Sequence, residues 1–147
     1  MTELWIRIDP EAQPSLIAQD RDLTLTEMQE AVGGLIEYCT FGRNVKLPVP
    51  SPQGGAMVWG EVIDVIAHEE GRLVNNPLPN AVATYAAFGQ SIADAPYSIV
   101  GAVLVHVRIP DGAQEATMQE LLSLILGAEV AQAMTDALEE ANYGDDE

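Results

Sequence analysis

The most apolar stretch of this chain runs from Ser98 to Ile109 and ends abruptly at Pro110-Asp111-Gly112. Its apolar centre, Ile99 to Val107, is half the roughly 18 residues that a membrane-spanning helix needs. A run this short and this apolar reads as a strand buried on both faces, at the centre of a sheet. The rest of the chain must then supply the neighbouring strands and the layers that cover it.

Several of those elements announce themselves locally. Leu4-Trp5-Ile6-Arg7-Ile8 alternates and is stopped by Asp9-Pro10, which predicts a strand. Residues 11–22 read as a connection. Thr24-Leu25-Thr26-Glu27 is a capping box, with Leu23 and Met28 placed as a hydrophobic staple. Leu25, Met28 and Val32 continue at helical spacing until Gly33-Gly34. Leu35 to Phe41 carries apolar groups on both faces, so a central strand is expected there. Asn44 to Gly55 holds three prolines and two glycines and reads as a loop. Val58 to Ala67 is the next strand. A turn at His68-Glu69-Glu70-Gly71 and a short return strand at Arg72-Leu73-Val74 follow. Asn80 is placed as an N-cap, Ala81, Tyr85 and Phe88 share a helical face, and Gly89 closes that helix.

The composition shifts after Pro110. From Asp111 to Glu147 there are ten acids and no base, so this quarter of the chain carries −10. Met118, Leu121, Leu122, Ile125 and Leu126 form one helical stripe. Val130, Met134, Ala137, Leu138 and Ala141 form a second after Gly127. The expected fold is therefore α+β, with a single mixed or antiparallel sheet of about five strands and two short helices, followed by a C-terminal helical hairpin. The corresponding division is a core domain at 1–110, an acidic helical appendage at 111–142 packed on the core or on a second copy, and a frayed acidic tail at 143–147.

The charge bounds the function. Among 147 residues, 23 acids stand against 6 bases, for a formal −17. Such a surface repels DNA and anionic membranes, so neither direct nucleic-acid binding nor membrane binding is expected. Three readings of the acidity stand side by side: solubility, including in a salty cytoplasm; a basic protein partner; and mimicry of DNA by carboxylates. Cys39 is the single cysteine, so no internal disulfide forms and a buried thiol is expected. The opening Met1-Thr2-Glu3 lacks a basic region followed by a long apolar run. A cytoplasmic protein is expected from that.

No phosphate loop, G-x-G-x-x-G, G-x-S-x-G, H-E-x-x-H or paired C-x-x-C occurs in the chain. The reading is therefore a non-enzymatic protein with no metal and no cofactor. Gly33-Gly34 lies at the wrong end of its helix to hold phosphate. His68 and His106 are the only histidines, and His106 shares a strand face with Arg108. Glu37 and Asp64 sit inside strands that read as buried. Each would need a partner such as Arg7, Arg72 or Arg108, or a raised pKa. With Arg43, Trp59, His68, Glu69, Glu70 and Asn80 they are the candidate ligand or partner residues. A pocket between the sheet and the 44–57 loop, lined by Trp59, Glu37, Arg43 and Asp64, would serve a small molecule or nucleotide.

Three motifs occur together in order: Leu25-x-x-Met28-Gln29-x-x-Val32-Gly33-Gly34-x-Ile36-Glu37, then His68-Glu69-Glu70-Gly71-Arg72-Leu73 with Pro77-Leu78-Pro79-Asn80-Ala81, then Ile99 to Val105. Over about residues 4–108 the chain resembles domain-of-unknown-function family 3846, small domains of phages, bacteria and some archaea. The family pattern has Asn where this chain has His68, and commonly Arg where it has Ala81. The resemblance implies an accessory protein, borne by a phage or mobile element, that acts through protein–protein contacts. A homodimer through the C-terminal helices is the further expectation.

Overall fold

The computed structural model describes residues 1–10, 14–68, 80–127, 133, 136 and 137. Among these residues the fold is α+β, with seven strands in one antiparallel sheet and three helices. The strands are β1 (Thr2–Ile8), β2 (Ser15–Gln19), β3 (Ile36–Tyr38), β4 (Lys46–Pro50), β5 (Met57–His68), β6 (Val103–Ile109) and β7 (Glu115–Ala116). The helices are α1 (Leu25–Val32), α2 (Ala81–Phe88) and α3 (Met118–Leu126). The order across the sheet is β2-β1-β6-β5-β3, and both β4 and β7 also pair with β5.

The apolar run does supply the central strand, but β6 begins at Val103 rather than Ser98. Upstream, the backbone of Ile99 is already committed. Its N–H donates to Thr84 Oγ1 at 2.9 Å and its carbonyl accepts from the Asn80 N–H at 2.8 Å. Gly101 then turns the chain with φ of +74°. β1 is the expected N-terminal strand, longer by two residues at its start.

The alternation of β1, β5 and β6 sorts side chains into two faces. Leu4, Ile6, Ile8, Val65, Ala67, Val103, Val105 and Val107 join one core with Leu47, Val49, α2 and α3. Trp5, Ile66 and Leu104 join a smaller core on the other face with Leu23, Val32 and Met28. α1 is begun by the capping box, with the Thr24 hydroxyl accepting from the Glu27 N–H and the Glu27 carboxylate accepting from the Thr24 N–H. It ends on Gly33 at φ of +91°. Arg7 Nε ties it to β1 by donating to the Ala31 carbonyl at 2.8 Å.

Several expectations change. The connection at 11–22 contains β2, whose single buried residue is Ala18, so no apolar alternation marks it. The loop at 44–55 contains β4. The Val62 N–H donates to the Val45 carbonyl, which aligns residues 45, 47 and 49 with β5 and turns the amide positions of Pro48 and Pro50 outward. Proline is compatible with such an edge and blocks further pairing there. The strand expected as central at 35–41 is only β3, on the sheet edge, with Leu35, Tyr38 and Phe41 exposed. α2 buries Ala83, Thr84, Ala86 and Ala87 rather than the Ala81, Tyr85 and Phe88 face, because its small side chains allow close approach to the sheet.

The expected C-terminal hairpin is not matched in detail. β7 adds to the sheet beside β5, and α3 packs Leu121 and Ile125 into the larger core. Leu121 and Ile125 of its stripe are thereby buried within its own chain, while Met118 stays exposed. Of the expected second helix, Ala133, Asp136 and Ala137 are helical, and the other positions lie outside the described residues. So do the turn at 69–71 and the return strand at 72–74. Among the described residues no helix is long and apolar enough to cross a membrane.

Candidate functional site

Two surface features stand out once the helices are in place. The first is the part of the smaller-core face that α1 leaves uncovered. Here β6 presents His106 and Arg108, β1 presents Glu3, and β5 presents Glu61 and Asp64. The register puts Arg108 between Glu3 and Glu61, and His106 between Trp5 and Asp64. A bulge between Val62 and Asp64 adjusts the β5 side of this pairing. His106 is 9 % exposed and stacks on the Trp5 indole, with ring centroids 4.1 Å apart and planes 6° from parallel. Trp5 is itself fixed by its Nε1–H donating to the Arg21 carbonyl.

The polar ends of this group are poorly satisfied. His106 Nε2 lies 3.8 Å from Glu3 Oε2, and Nδ1 lies 4.0 Å from Asp64 Oδ2. Both distances exceed hydrogen-bonding range. His106 Nε2 and Arg108 Nε are buried atoms without a hydrogen-bond partner, an arrangement that costs free energy unless something else serves it. Beside them, a hollow of about 260 Å³ is lined by Asn44, Lys46, Glu61, Val62, Ile63 and Arg108. A second hollow of about 560 Å³ shares Lys46 and Glu61 and extends to Trp59, Gln114 and Glu120.

The second feature is aromatic. Phe41, Phe88 and Tyr97 meet at the C-terminal end of α2. Phe41 and Phe88 stack at 4.9 Å, and Tyr97 stands edge-on to Phe88 at 5.0 Å with planes at 90°. Phe41 is 54 % and Tyr97 39 % exposed. The backbone beneath is held firmly, because the N–H groups of Phe41 and Gly42 both donate to the Ala87 carbonyl at 2.8 and 2.7 Å. A Cβ on Gly42 would lie 2.8 Å from the Phe88 carbonyl. Only glycine lets the chain pass this close to the helix end.

The candidates from sequence are placed as follows. Glu37 is exposed on the edge strand β3, and the Cys39 thiol faces its Oε1 at 3.6 Å. Cys39 is buried, as expected. Asp64 has a side chain 38 % exposed and lies by His106, not by an arginine. The expectation of two buried carboxylates is therefore corrected: among the described residues neither pairs with Arg7 or Arg108, and Arg72 lies outside them. An edge strand leaves Glu37 in water, and Arg7 pairs instead with Asp9 at 3.3 Å. Arg43 is exposed. Trp59 lines the larger hollow. His68 ends β5 and packs over Gly34, where an added Cβ would collide with its Nε2. Glu69 and Glu70 lie outside the described residues.

Asn80 is the N-cap of α2 and is 1 % exposed. Its Nδ2 donates to the carbonyls of Ile8 and Gly101 at 2.8 and 2.9 Å, and its Oδ1 accepts from the Ala83 N–H at 3.1 Å. Both amide protons are thus spent within the fold. The expected pocket does not bring its residues together, because Glu37 pairs beside Ala67 while Trp59 lies eight residues earlier on β5. That is roughly 26 Å of strand. The residues missed from sequence are Asn44, Lys46, Glu61 and the aromatic trio. His106 with Arg108 is legible as a shared strand face, whereas its neighbours depend on strand register.

Glu27 has its carboxyl pKa lowered to about 2. The hydrogen bond from Arg21 is the largest cause, followed by the Thr24 N–H. Arg21 Nη2 lies 2.9 Å from Glu27 Oε2. This pair caps α1 and lies apart from both surface features. Among the described residues no group of three or more His, Cys, Asp or Glu side chains is arranged to hold a metal. No family model, no curated protein and no solved structure matches the chain.

Proposed function

We propose that this chain is a non-enzymatic binding protein that acts through protein–protein contacts and uses the Phe41–Phe88–Tyr97 cluster as its anchor. The observation that carries the reading is the exposure of the Phe41 and Tyr97 rings, with the Phe41 backbone hydrogen-bonded to the end of α2. Clustered aromatic side chains dominate the energetics of protein interfaces, and order with little entropy loss when their backbone is already fixed. The partner is a basic protein surface, since the −17 of this chain attracts cations and repels a second copy of itself. Leu121 and Ile125 of α3 are already buried in the core of their own chain, which further argues against a dimer built on those residues. The resemblance to family 3846, with its phage and mobile-element setting, supports the same accessory role.

The test is capture from a lysate of the cell of origin at two salt concentrations. Wild type retains a basic protein at low salt and less of it at high salt. The Phe41→Ser/Tyr97→Ser double variant, changed only at exposed rings, loses that protein. Equal capture by wild type and double variant contradicts the proposal.

A further inference from the structure

The geometry points to a small-oxyanion binding site in the hollow between Lys46 and Arg108, on the opposite sheet face from the aromatic cluster and independent of it. In a chain with 23 acids and 6 bases, a cation without a carboxylate is the anomaly. Five of the bases are described. Arg7 pairs with Asp9, and Arg21 pairs with Glu27. The three that make no ion pair among the described residues are Arg43, Lys46 and Arg108. Two of these line one hollow, and Arg43 precedes Asn44, which also lines it.

Arg108 sharpens the point. It stands directly across from Glu3 on one strand and Glu61 on the other, yet its guanidinium is paired with neither. Its Nε is buried with no hydrogen-bond partner. A guanidinium that makes no ion pair among the described residues leaves its terminal N–H groups to serve a carboxylate or a phosphate, which takes two parallel N–H bonds. The Lys46 ammonium supplies the second positive charge across the hollow. Val62 and Ile63 line the hollow at the β5 bulge, a device that re-aims side chains around binding sites. Asn44 holds a left-handed backbone at φ of +55° and adds an amide. Glu61 is the one acid in the lining, and it accepts from a hydroxyl on the ligand.

Size and field limit the ligand class. A hollow of about 260 Å³ lies just below the usual range for drug-sized ligands. The surrounding −17 repels an extended polyanion but not a small one drawn into a local cationic pair. The ligand is therefore a compact carboxylate or phosphate that carries a hydroxyl donor.

The test is NMR of the arginine Nε–H resonances of the full chain at constant ionic strength. One arm is titrated with inorganic phosphate and the other with glycolate. The Arg108 signal shifts and saturates in at least one arm, with a Kd on the order of 1 mM, and the saturating arm identifies the oxyanion. Lys46→Gln, at an exposed position, and Arg108→Gln each weaken that binding about tenfold. Arg21→Gln, which removes the same charge from a separate hollow lined by Asp20 and Asp22, leaves it unchanged. Flat or linear responses in both arms overturn the proposal. So does an equal loss in Lys46→Gln and Arg21→Gln, which would mean that only mean charge matters.

Discussion

On one face of the sheet, α2 and α3 close over Leu4, Ile6, Val65, Val103 and Val105. On the other, α1 covers Trp5, Ile66 and Leu104 and goes no further, leaving His106 and Arg108 beside Glu61 and Lys46. The lengths explain the difference. An eight-residue helix reaches about 12 Å, whereas the twelve residues of β5 extend about 40 Å. The same strands therefore carry Val103, Val105 and Val107 toward the deep core and His106 and Arg108 toward a partly open surface. On the covered face the buried Asn80 and Thr84 are both hydrogen-bonded within the fold. On the open half, buried nitrogens remain unserved, which is the mark of a surface shaped by something other than stability.

The covered face is most sensitive at Asn80. Asn80→Ala removes a helix cap and orphans the carbonyls of Ile8 and Gly101. It should cost about 3 kcal/mol in denaturant unfolding, and a loss below about 1 kcal/mol would show that the covered face is looser than described. Next comes Gly42→Ala, where the added Cβ meets the Phe88 backbone at 2.8 Å. About 2 kcal/mol of destabilisation is expected, with altered Phe41 and Tyr97 ring shifts by NMR. The open half should respond differently. Arg108→Gln removes a buried donor that no group satisfies, so its unfolding free energy should stay within about 0.5 kcal/mol of wild type.

The smallest effect concerns α1, whose cap is exposed. The folded pKa of Glu27 is depressed from an ordinary 4.5 to about 2. Its contribution is thus present in full above pH 4.5 and is lost as pH falls through about 2. The stability gap between wild type and Glu27→Gln should be constant above pH 5 and close on acidification. A gap that widens in acid would reverse the sign of this linkage.

What sequence reveals here divides by range. The α1 capping box, the Gly33 and Gly89 stops, the Asn80 cap and the central position of β6 are local signals or a plain apolar run, and all are legible. β4 is hidden because Pro48 and Pro50 look like loop residues until both prove to point outward from an edge. β2 is hidden because only Ala18 is buried. Glu37 misleads because apolar residues on both sides of a strand suggest burial, whereas Leu35, Tyr38 and Phe41 are exposed. The hollow joins Lys46 to Arg108 across the register of β4, β5 and β6. No spacing within a single segment encodes that meeting. The Phe41, Phe88 and Tyr97 cluster likewise needs the loop before β4 to dock on the end of α2.

The proposed reading has the aromatic cluster, and not the open charged half-face, anchor a basic protein partner. It is tested most directly by capturing that partner with wild type, Phe41→Ser/Tyr97→Ser and Arg108→Gln side by side at low salt. Retention by wild type and Arg108→Gln and loss by the double variant are expected. Loss by Arg108→Gln with retention by the double variant would contradict it.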